Sequence, residues 1–385
     1  MRSALLAALS SFALALVACV GAQVLDLGGE GGQATPPVPR TEAGVDAAVD
    51  SGTEAAAATA ADSSTEAGGG TPADSGTDVI FGVVPDASAV LPAFTTLPNT
   101  CALDAGTPGA TGWIVFDSDS VELVRHIFAV HADDCAVMQI TSGTSIEQEP
   151  AVSPDGTTLV FSSSRTADGT FQLYTMDFAS RVLRQLTAQT GGAGQPVFSP
   201  DGQSIAYHSG VEVYLMAADG SGAHLVIASP MGLNYEHPAF APDGNGLVVD
   251  ETLEIDAFDL QGQNKRYVVA NGTQEAFYPA PSPDGVSMAF VAGCGSSIGA
   301  QSVMVTTFAT TLSNPCTTQQ WNQPDFGNIS HPSWGSDAWI AFAHQDTSGL
   351  NHVAVSNDNG QVFDMVEDDG DQRDPLWAPS AFTPN

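Results

Sequence analysis

The sequence predicts an all-β fold, a six-bladed β-propeller, from two observations. A seven-residue segment with the pattern Pro-x-x-Ser/Ala-Pro-Asp-Gly occurs four times, beginning at Pro150, Pro196, Pro238 and Pro279. The Asp residues of successive copies are 46, 42 and 41 residues apart, a period that is typical of propeller blades with four strands. The second observation is that the incomplete units at the two ends of this region complement each other, which predicts a closed ring.

Each repeat divides into four predicted strands. In the first repeat, the strand before the Pro-Asp-Gly turn is followed by Thr158–Phe161, Gln172–Met176 and Leu183–Thr187 as the second, third and fourth strands. Dipeptides such as Asp219-Gly220, which are typical of hairpin turns, separate the third strand from the fourth in later repeats.

Degenerate units raise the number of blades to six. The segment His331–Asp337 keeps the pattern without Pro-Asp-Gly, and Asp374–Pro379 supplies a sixth first strand with nothing after it to pair with. At the other end, second, third and fourth strands have no first strand before them: Trp113–Phe116, His126–Val130 and Ala136–Thr141. We therefore predict that the C-terminal strand pairs with the N-terminal three, which removes the exposed edges of an open array.

The N-terminus has the features of an export signal. Arg2 precedes the apolar run Ala4–Val17, and Leu16-Val17-Ala18-Cys19 resembles the bacterial lipobox, which implies cleavage after residue 18 and lipidation of Cys19. Residues 19–98 are predicted to be a flexible linker, because Ala, Gly, Ser, Thr, Pro and Asp bury too little apolar surface to offset the entropy of ordering. Within it, the apolar stretch Val90–Leu97 is a candidate for packing against the propeller, which is assigned to residues 99–385.

Charge and cysteine content limit the partners and the compartment. The chain has 9 Lys and Arg against 44 Asp and Glu, a net charge of −35, so it repels nucleic acid and anionic lipid headgroups, and contact with a membrane is expected only through the lipid on Cys19. The other four cysteines predict two disulfides in an oxidising compartment. Pairing within blades favours Cys101–Cys135 and Cys294–Cys316 over a metal site, because there is no Cys-x-x-Cys.

The repeat resembles a known family at its best-formed copy. Phe198-Ser199-Pro200-Asp201-Gly202 followed by Ile205-Ala206-Tyr207 and Val213-Tyr214-Leu215-Met216 is similar to the TolB-type propeller repeat, and the match extends over residues 112–380. The resemblance implies a six-bladed propeller. TolB is a periplasmic protein that combines its propeller with a globular N-terminal domain, and in this chain a low-complexity linker takes that place.

The Asp and Gly residues of the repeat are predicted to be structural. Proline restrains φ, Asp accepts a backbone N–H of its own turn, and Gly adopts a positive φ. An alternative is a ring of calcium ligands, since carboxylate oxygens favour divalent ions. The residues concerned are Asp155, Gly156, Asp201, Gly202, Asp243, Gly244, Asp284 and Gly285.

The candidate binding residues lie one position before the first proline of each unit. If the first strand is innermost, these six surround the mouth of the central channel, where propellers usually bind ligands; they are Glu149, Gln195, His237, Tyr278, His331 and Asp374. Glu149, His237, His331 and Asp374 together could hold a divalent metal ion, as channel histidines are understood to do in the similar oligogalacturonate lyases. The alternative is that these positions are polar because water reaches them. The remaining repeat-region histidines His208, His224, His344 and His352 are predicted to be surface or edge residues.

These observations favour a non-catalytic lipoprotein of the bacterial envelope, with the outer membrane as its destination. Its propeller is expected to act as a monomer, without a cofactor, and to bind an envelope protein, a peptide or a glycan. The alternative function is a metal-assisted polysaccharide lyase of the oligogalacturonate type. A lyase needs cations to stabilise an enolate, and only Arg373 adjoins the six candidate positions.

Overall fold

The structure is a computed structural model that describes residues 89–97 and 109–384, except for 122, 231–232, 252, 271–273, 295–299, 310, 322–326, 336–337 and 367–369. The predicted signal peptide, Cys19 and most of the predicted linker lie outside the described residues. Within the described residues, no helix has both the length and the apolar character needed to cross a membrane.

Six antiparallel sheets form a ring, so the predicted six-bladed β-propeller is confirmed. Blades 1 to 3 contain β6–β9 (Glu147–Val152, Thr158–Ser163, Gln172–Asp177, Val182–Gln185), β10–β13 (Gly194–Phe198, Ser204–Ser209, Glu212–Ala217, His224–Ile227) and β14–β17 (Tyr235–Phe240, Gly246–Glu251, Glu254–Asp259, Arg266–Val269). Blades 4 and 5 contain β18–β21 (Ala276–Pro281, Ser287–Ala292, Ser302–Thr307, Gln319–Gln320) and β22–β25 (Ile329–Trp334, Trp339–Gln345, Asn351–Asn357, Val362–Asp364). The first strand of each blade contacts the first strands of its neighbours around the ring.

Blade 6 closes the ring by joining the two ends of the described chain. It contains β26 (Gln372–Trp377) followed by β3 (Trp113–Ser118), β4 (His126–His131) and β5 (Val137–Gln139). The strands β26 and β3 pair in antiparallel register, from Gln372 opposite Ser118 to Trp377 opposite Ile114. The predicted pairing of the C-terminal strand with the N-terminal three is therefore correct.

Two short strands precede the predicted start of the propeller. Strand β1 (Ala89–Val90) pairs with β9, and β2 (Thr95–Leu97) pairs with β5, so blades 1 and 6 each gain a fifth, outermost strand. Leu91, between them, is buried in the apolar cluster shared by these two blades. The apolar stretch Val90–Leu97 therefore packs against the propeller, as the sequence predicts.

The hydrophobic core lies between the blades. Six clusters of described apolar residues fill the six gaps between neighbouring sheets. The fourth residue of every second strand is buried there, which explains the apolar runs after the turns: Phe116, Phe161, Tyr207, Val249, Phe290 and Phe342.

The Pro-Asp-Gly segments form the turns between first and second strands. Oδ1 of Asp155 accepts hydrogen bonds from Ser153 Oγ (2.6 Å) and the Thr157 backbone N–H (3.1 Å), and these bonds lower the pKa of Asp155. Gly156 has a φ of +72°, and a Cβ there would lie 2.5 Å from the Phe382 backbone nitrogen. Asp201 and Asp284 accept the equivalent bonds, so these carboxylates are already used within their own turns.

One predicted disulfide lies within the described residues. Cys294, after the second strand of blade 4, is bonded to Cys316, which precedes the fourth strand, with the two Cα atoms 5.3 Å apart. Cys101 is outside the described residues, so its pairing with Cys135 stays a prediction.

Candidate functional site

All six candidate binding residues have the same unusual backbone conformation. Each has a φ between +47° and +56°, although none is glycine. Each lies at a β-bulge, because the pairing of first and second strands shifts register at this point in every blade. A non-glycine residue in the left-handed region costs about 1–3 kcal/mol, and it persists only where the surroundings hold it. The bulge turns these residues toward the central channel.

The six bulge residues line one cavity of about 1060 Å³ at the centre of the ring. They lie at its inner end, because the cavity continues along each first strand to the prolines of the turns, such as Pro154 and Pro200. At about 3.3 Å per residue, the five positions from Glu149 to Pro154 correspond to a depth of about 15 Å. The wall between the two ends carries the prolines after the bulges and apolar side chains that include Phe240 and Trp334.

On one side of the channel, side chains bond to the bulge of the next blade. Glu149 Oε2 accepts the backbone N–H of Gln195 at 2.8 Å, and Gln195 Oε1 accepts the backbone N–H of His237 at 2.8 Å. The Glu149 N–H donates in turn to Asp117 Oδ1 at 3.2 Å. Polarity at these positions therefore has a structural reason, since a bulge frees a backbone N–H that needs an acceptor.

On the other side, three aromatic rings are in contact. The ring centroids of His237 and Tyr278 are 4.2 Å apart, and those of Tyr278 and His331 are 4.3 Å apart. His331 Nδ1 lies 2.9 Å from Asp374 Oδ1, and His237 Nδ1 lies 2.9 Å from Asp250 Oδ1. A hydrogen bond to Asp250 orients the imidazole of His237, Asp374 lies at ion-pair distance from His331, and both imidazoles contact the ring of Tyr278.

The carboxyl groups of Asp117 and Asp374 lie between the aromatic side of the ring and Glu149. Burial and the neighbouring Asp374 raise the pKa of Asp117 well above its usual value, although Arg125 lies 2.7 Å from its carboxylate. Burial alone would raise the pKa of Asp374 as well, but His331 and a hydrogen bond from Asp117 hold it below the usual range. The pKa values of the two hydrogen-bonded carboxyl groups are thus shifted in opposite directions.

Two further residues of the ring, Glu149 and Tyr278, also have raised pKa values. Burial and the charge of Asp374 raise the pKa of Glu149 to about 7, against the opposing effect of the Gln195 N–H. Burial, followed by the nearby carboxylates Asp250 and Asp374, also raises the pKa of Tyr278, so that its hydroxyl stays protonated near neutral pH. The inner end of the cavity is acidic, and its net charge depends on pH near neutrality.

Three residues of the second strands support this ring and were not predicted as site residues. Asp117, His208 and Asp250 each occupy the fifth position of their strand, opposite the bulge of the first strand. His208 and His344 were predicted to be surface or edge residues, and for both this is wrong, because they are 7% and 5% exposed. His344 Nε2 is paired with Asp364 at 2.7 Å on the outer side of blade 5.

Comparison with known proteins agrees with this geometry. The family model described as the TolB beta propeller domain matches residues 114–248 and 164–338, which together span more than half of the chain. The chain belongs to the TolB β-propeller family. No curated protein matches the sequence significantly. Membership of this family supports a binding or scaffolding module associated with the cell envelope.

Solved structures share the fold of this TolB-type propeller at low sequence identity. TolB from Acinetobacter baumannii has 19% identity and a TM-score of 0.59, with 72% of this chain and 69% of that chain covered. A putative TolB from Agrobacterium tumefaciens has 16% identity and a TM-score of 0.51, covering 70% and 93% of the two chains. Hydrazine synthase from Kuenenia stuttgartiensis has 12% identity and a TM-score of 0.54, covering 72% and 48%. At these identities the likeness establishes the fold alone.

Proposed function

We propose that this protein is a non-catalytic envelope lipoprotein that binds a protruding segment of another envelope protein in the central cavity of its propeller. Cys19, lipidated after removal of residues 1–18, anchors the chain to the outer membrane, and the linker holds the propeller away from it. The propeller acts as a monomer and needs no cofactor for this binding.

The observation that carries the proposal is the composition of the cavity along its depth. Prolines and aromatic side chains form the wall, and polar and acidic groups, including Glu149 and Asp374, form the inner end. An apolar wall gains free energy by excluding water from a partner, while a few polar groups fix its orientation. A cavity about 15 Å deep accepts an extended segment or a loop tip rather than a flat surface.

Charge favours a protein segment over an acidic glycan. Among the described residues, the arginines nearest the ring, Arg125 and Arg373, are paired with carboxylates: Arg125 with Asp117 and Asp371, and Arg373 with Asp371 at 2.6 Å. The inner end therefore repels anionic sugars and attracts a segment that carries a basic or neutral hydrogen-bond donor. The same pairing argues against the alternative lyase, since these cations are not available to stabilise an enolate.

Photo-crosslinking in living cells tests the binding. A benzophenone amino acid at Trp334, in the cavity wall, is expected to crosslink one discrete envelope protein. The same probe at Tyr267, which lies on the outer strand of blade 3 and is 45% exposed, serves as the matched control. Combining the Trp334 probe with Ala239→Trp, which fills the cavity, should abolish the product.

Two results would contradict this function. A crosslink that persists in the Ala239→Trp background places the partner outside the cavity. Recovery of glycan alone, with no protein attached at Trp334, assigns the cavity to the other class of ligand. Lipidation is tested separately, because Cys19→Ser should release the protein from the membrane fraction without altering the fold.

A further inference from the structure

Two groups of side chains among the described residues have the spacing of metal ligands. One consists of Glu236, His237 and Asp250, and the other of Glu251, Glu254 and Asp256. The second group already has a cation, because Lys265 Nζ lies 2.7 Å from Asp256 Oδ2 and 3.2 Å from Glu251 Oε2. In the described part of the chain, neither Glu236 nor Asp250 forms an ion pair with a lysine or arginine. In the first group the basic partner of Asp250 is the imidazole of His237, and a lysine does not take the place that Lys265 has in the second group.

The geometry of the first group is compact. One donor atom from each of the three residues lies within 4.8 Å of the others, and His237 Nδ1 is 2.9 Å from Asp250 Oδ1. Asp250 is 3% exposed, so its charge is expensive unless it is neutralised. The backbone holds the group in place, since Glu236 and His237 adjoin the bulge of β14 and Asp250 lies opposite them on β15.

A buried histidine of the neighbouring blade lies near this group. His208, on β11 of blade 2, is 7% exposed and interacts electrostatically with Glu236, His237 and Asp250 of blade 3. Its Nε2 atom is fully buried and, among the residues that the structure describes, has no hydrogen-bond partner. Asn234 lies beside the imidazole, but its Oδ1 also lacks a partner of good geometry. The acceptor nearest to this buried nitrogen is thus poorly aligned, which leaves a position for a ligand close to the three donors.

We propose that His208, Glu236, His237 and Asp250 bind one divalent transition-metal ion, such as Zn²⁺ or Mn²⁺, at the junction of blades 2 and 3 beside the inner end of the cavity. Two imidazoles favour a transition metal over Ca²⁺ or Mg²⁺, and two carboxylates balance the charge of a divalent ion.

This set differs from the four residues that the sequence suggested as ligands. His331 Nδ1 and Asp374 Oδ1 are 2.9 Å apart and form an ion pair with each other. Glu149 accepts a hydrogen bond from the Gln195 backbone N–H. Only His237 is common to both sets. The site is independent of the proposed binding function, since a protein partner can occupy the cavity with or without the ion.

Calorimetric titration of the metal-stripped, full-length protein with Zn²⁺ and with Mn²⁺ tests the proposal. We expect saturation at one ion per chain and a higher melting temperature when the ion is bound. His208→Gln and Asp250→Asn should each weaken binding by about 10-fold or more. Two controls should bind as the wild type does: Glu254→Gln, in the group served by Lys265, and His224→Ala, on the exposed outer strand of blade 2.

Several outcomes would overturn the site. These are no saturable binding to the folded wild type, unchanged affinity in His208→Gln, or an equal loss in Glu254→Gln. A variant that fails to fold would give no information, so a second measurement uses the wild type alone. Co²⁺ should give a saturable visible absorption spectrum with nitrogen and oxygen ligation, which Zn²⁺ displaces, and a spectrum that stays that of the hydrated ion contradicts the proposal.

Discussion

The six bulge residues combine a strained backbone with side chains that are bonded to one another. Their side chains cap the next bulge or stack on the next ring, so that the strain is offset by contacts between blades. Because the blades are joined through these contacts, the residues that face a ligand also hold the inner end of the channel in shape.

The strain predicts an inverted preference between glycine and alanine at Tyr278, whose φ is +56°. Both substitutions remove the aromatic ring, but glycine tolerates this conformation, so Tyr278→Gly should be more stable than Tyr278→Ala by about 1 kcal/mol. At the neighbouring Phe277, which is not in the left-handed region, alanine should be the more stable by about 0.5–1 kcal/mol. Urea unfolding of the four variants measures these differences in stability. If glycine and alanine rank in the same order at both positions, the backbone conformation of Tyr278 does not determine the preference.

Glu149 predicts a pH-dependent effect on stability. Its pKa is about 7 in the folded protein and close to 4.5 when unfolded, so the folded state binds more protons between these values and the wild type loses stability as the pH rises through this window. Glu149→Gln keeps an oxygen acceptor for the Gln195 N–H and lacks the charge. It should be more stable than the wild type by about 1–3 kcal/mol at pH 8. The difference should shrink below pH 5.

Thermal unfolding of wild type and variant across pH 4–9 measures this effect. Glu254→Gln, which removes a carboxylate outside the cavity, controls for the general loss of negative charge. A difference between Glu149→Gln and the wild type that is equally large at pH 4.5 and pH 8 is incompatible with the raised pKa.

At the scale of elements, blade 6 depends on a strand that comes from the far end of the described chain. Trp377 on β26 is 8% exposed, packs in the cluster between blades 5 and 6, and donates from Nε1 to the Thr111 carbonyl at 3.1 Å. Its side chain thus holds the closing strand against blade 5 and against the segment that precedes β3.

Trp377→Ala is expected to cost about 3–5 kcal/mol, as large core truncations do. Tyr267→Ala, on an exposed outer strand, should cost much less. Equilibrium unfolding in urea gives both values, and a loss below about 1 kcal/mol for Trp377→Ala would mean that closure does not depend on this residue.

Elements could be predicted from the sequence where the same residue pattern recurs in several blades, and could not be predicted where the pattern varies. The Pro-Asp-Gly turns of four blades, and the apolar runs that follow the first turn in all six, encode local structure, so the number of blades and the ring closure followed from alignment of the copies. The bulge conformation could not be predicted from alignment, because it depends on hydrogen bonds between residues 42 to 46 positions apart. His208 and Asp250 were missed because the fifth residue of the second strand varies among blades: Asp117, Ser162, His208, Asp250, Val291 and Ala343.

For the whole molecule, the net charge of −35 sets the response to salt. Carboxylates that repel one another across the surface and around the channel oppose the folded state, and added ions screen this repulsion. The melting temperature should therefore rise with NaCl, and most of the rise should occur below about 0.15 M, where the Debye length has fallen to about 8 Å. A constant slope up to 1 M would indicate salting-out of apolar surface instead.

The pairing of β26 with β3 also determines when the ring can form. The two strands are separated by more than 250 residues, so blade 6 lacks its innermost strand until residue 377 has left the ribosome and, for an exported protein, crossed the membrane. Until then β3 presents an unpaired edge and the neighbouring apolar cluster lacks Trp377. If the chain is exported as proposed, translocation must deliver the whole repeat region before closure, and an envelope chaperone that shields an open strand edge would act in that interval.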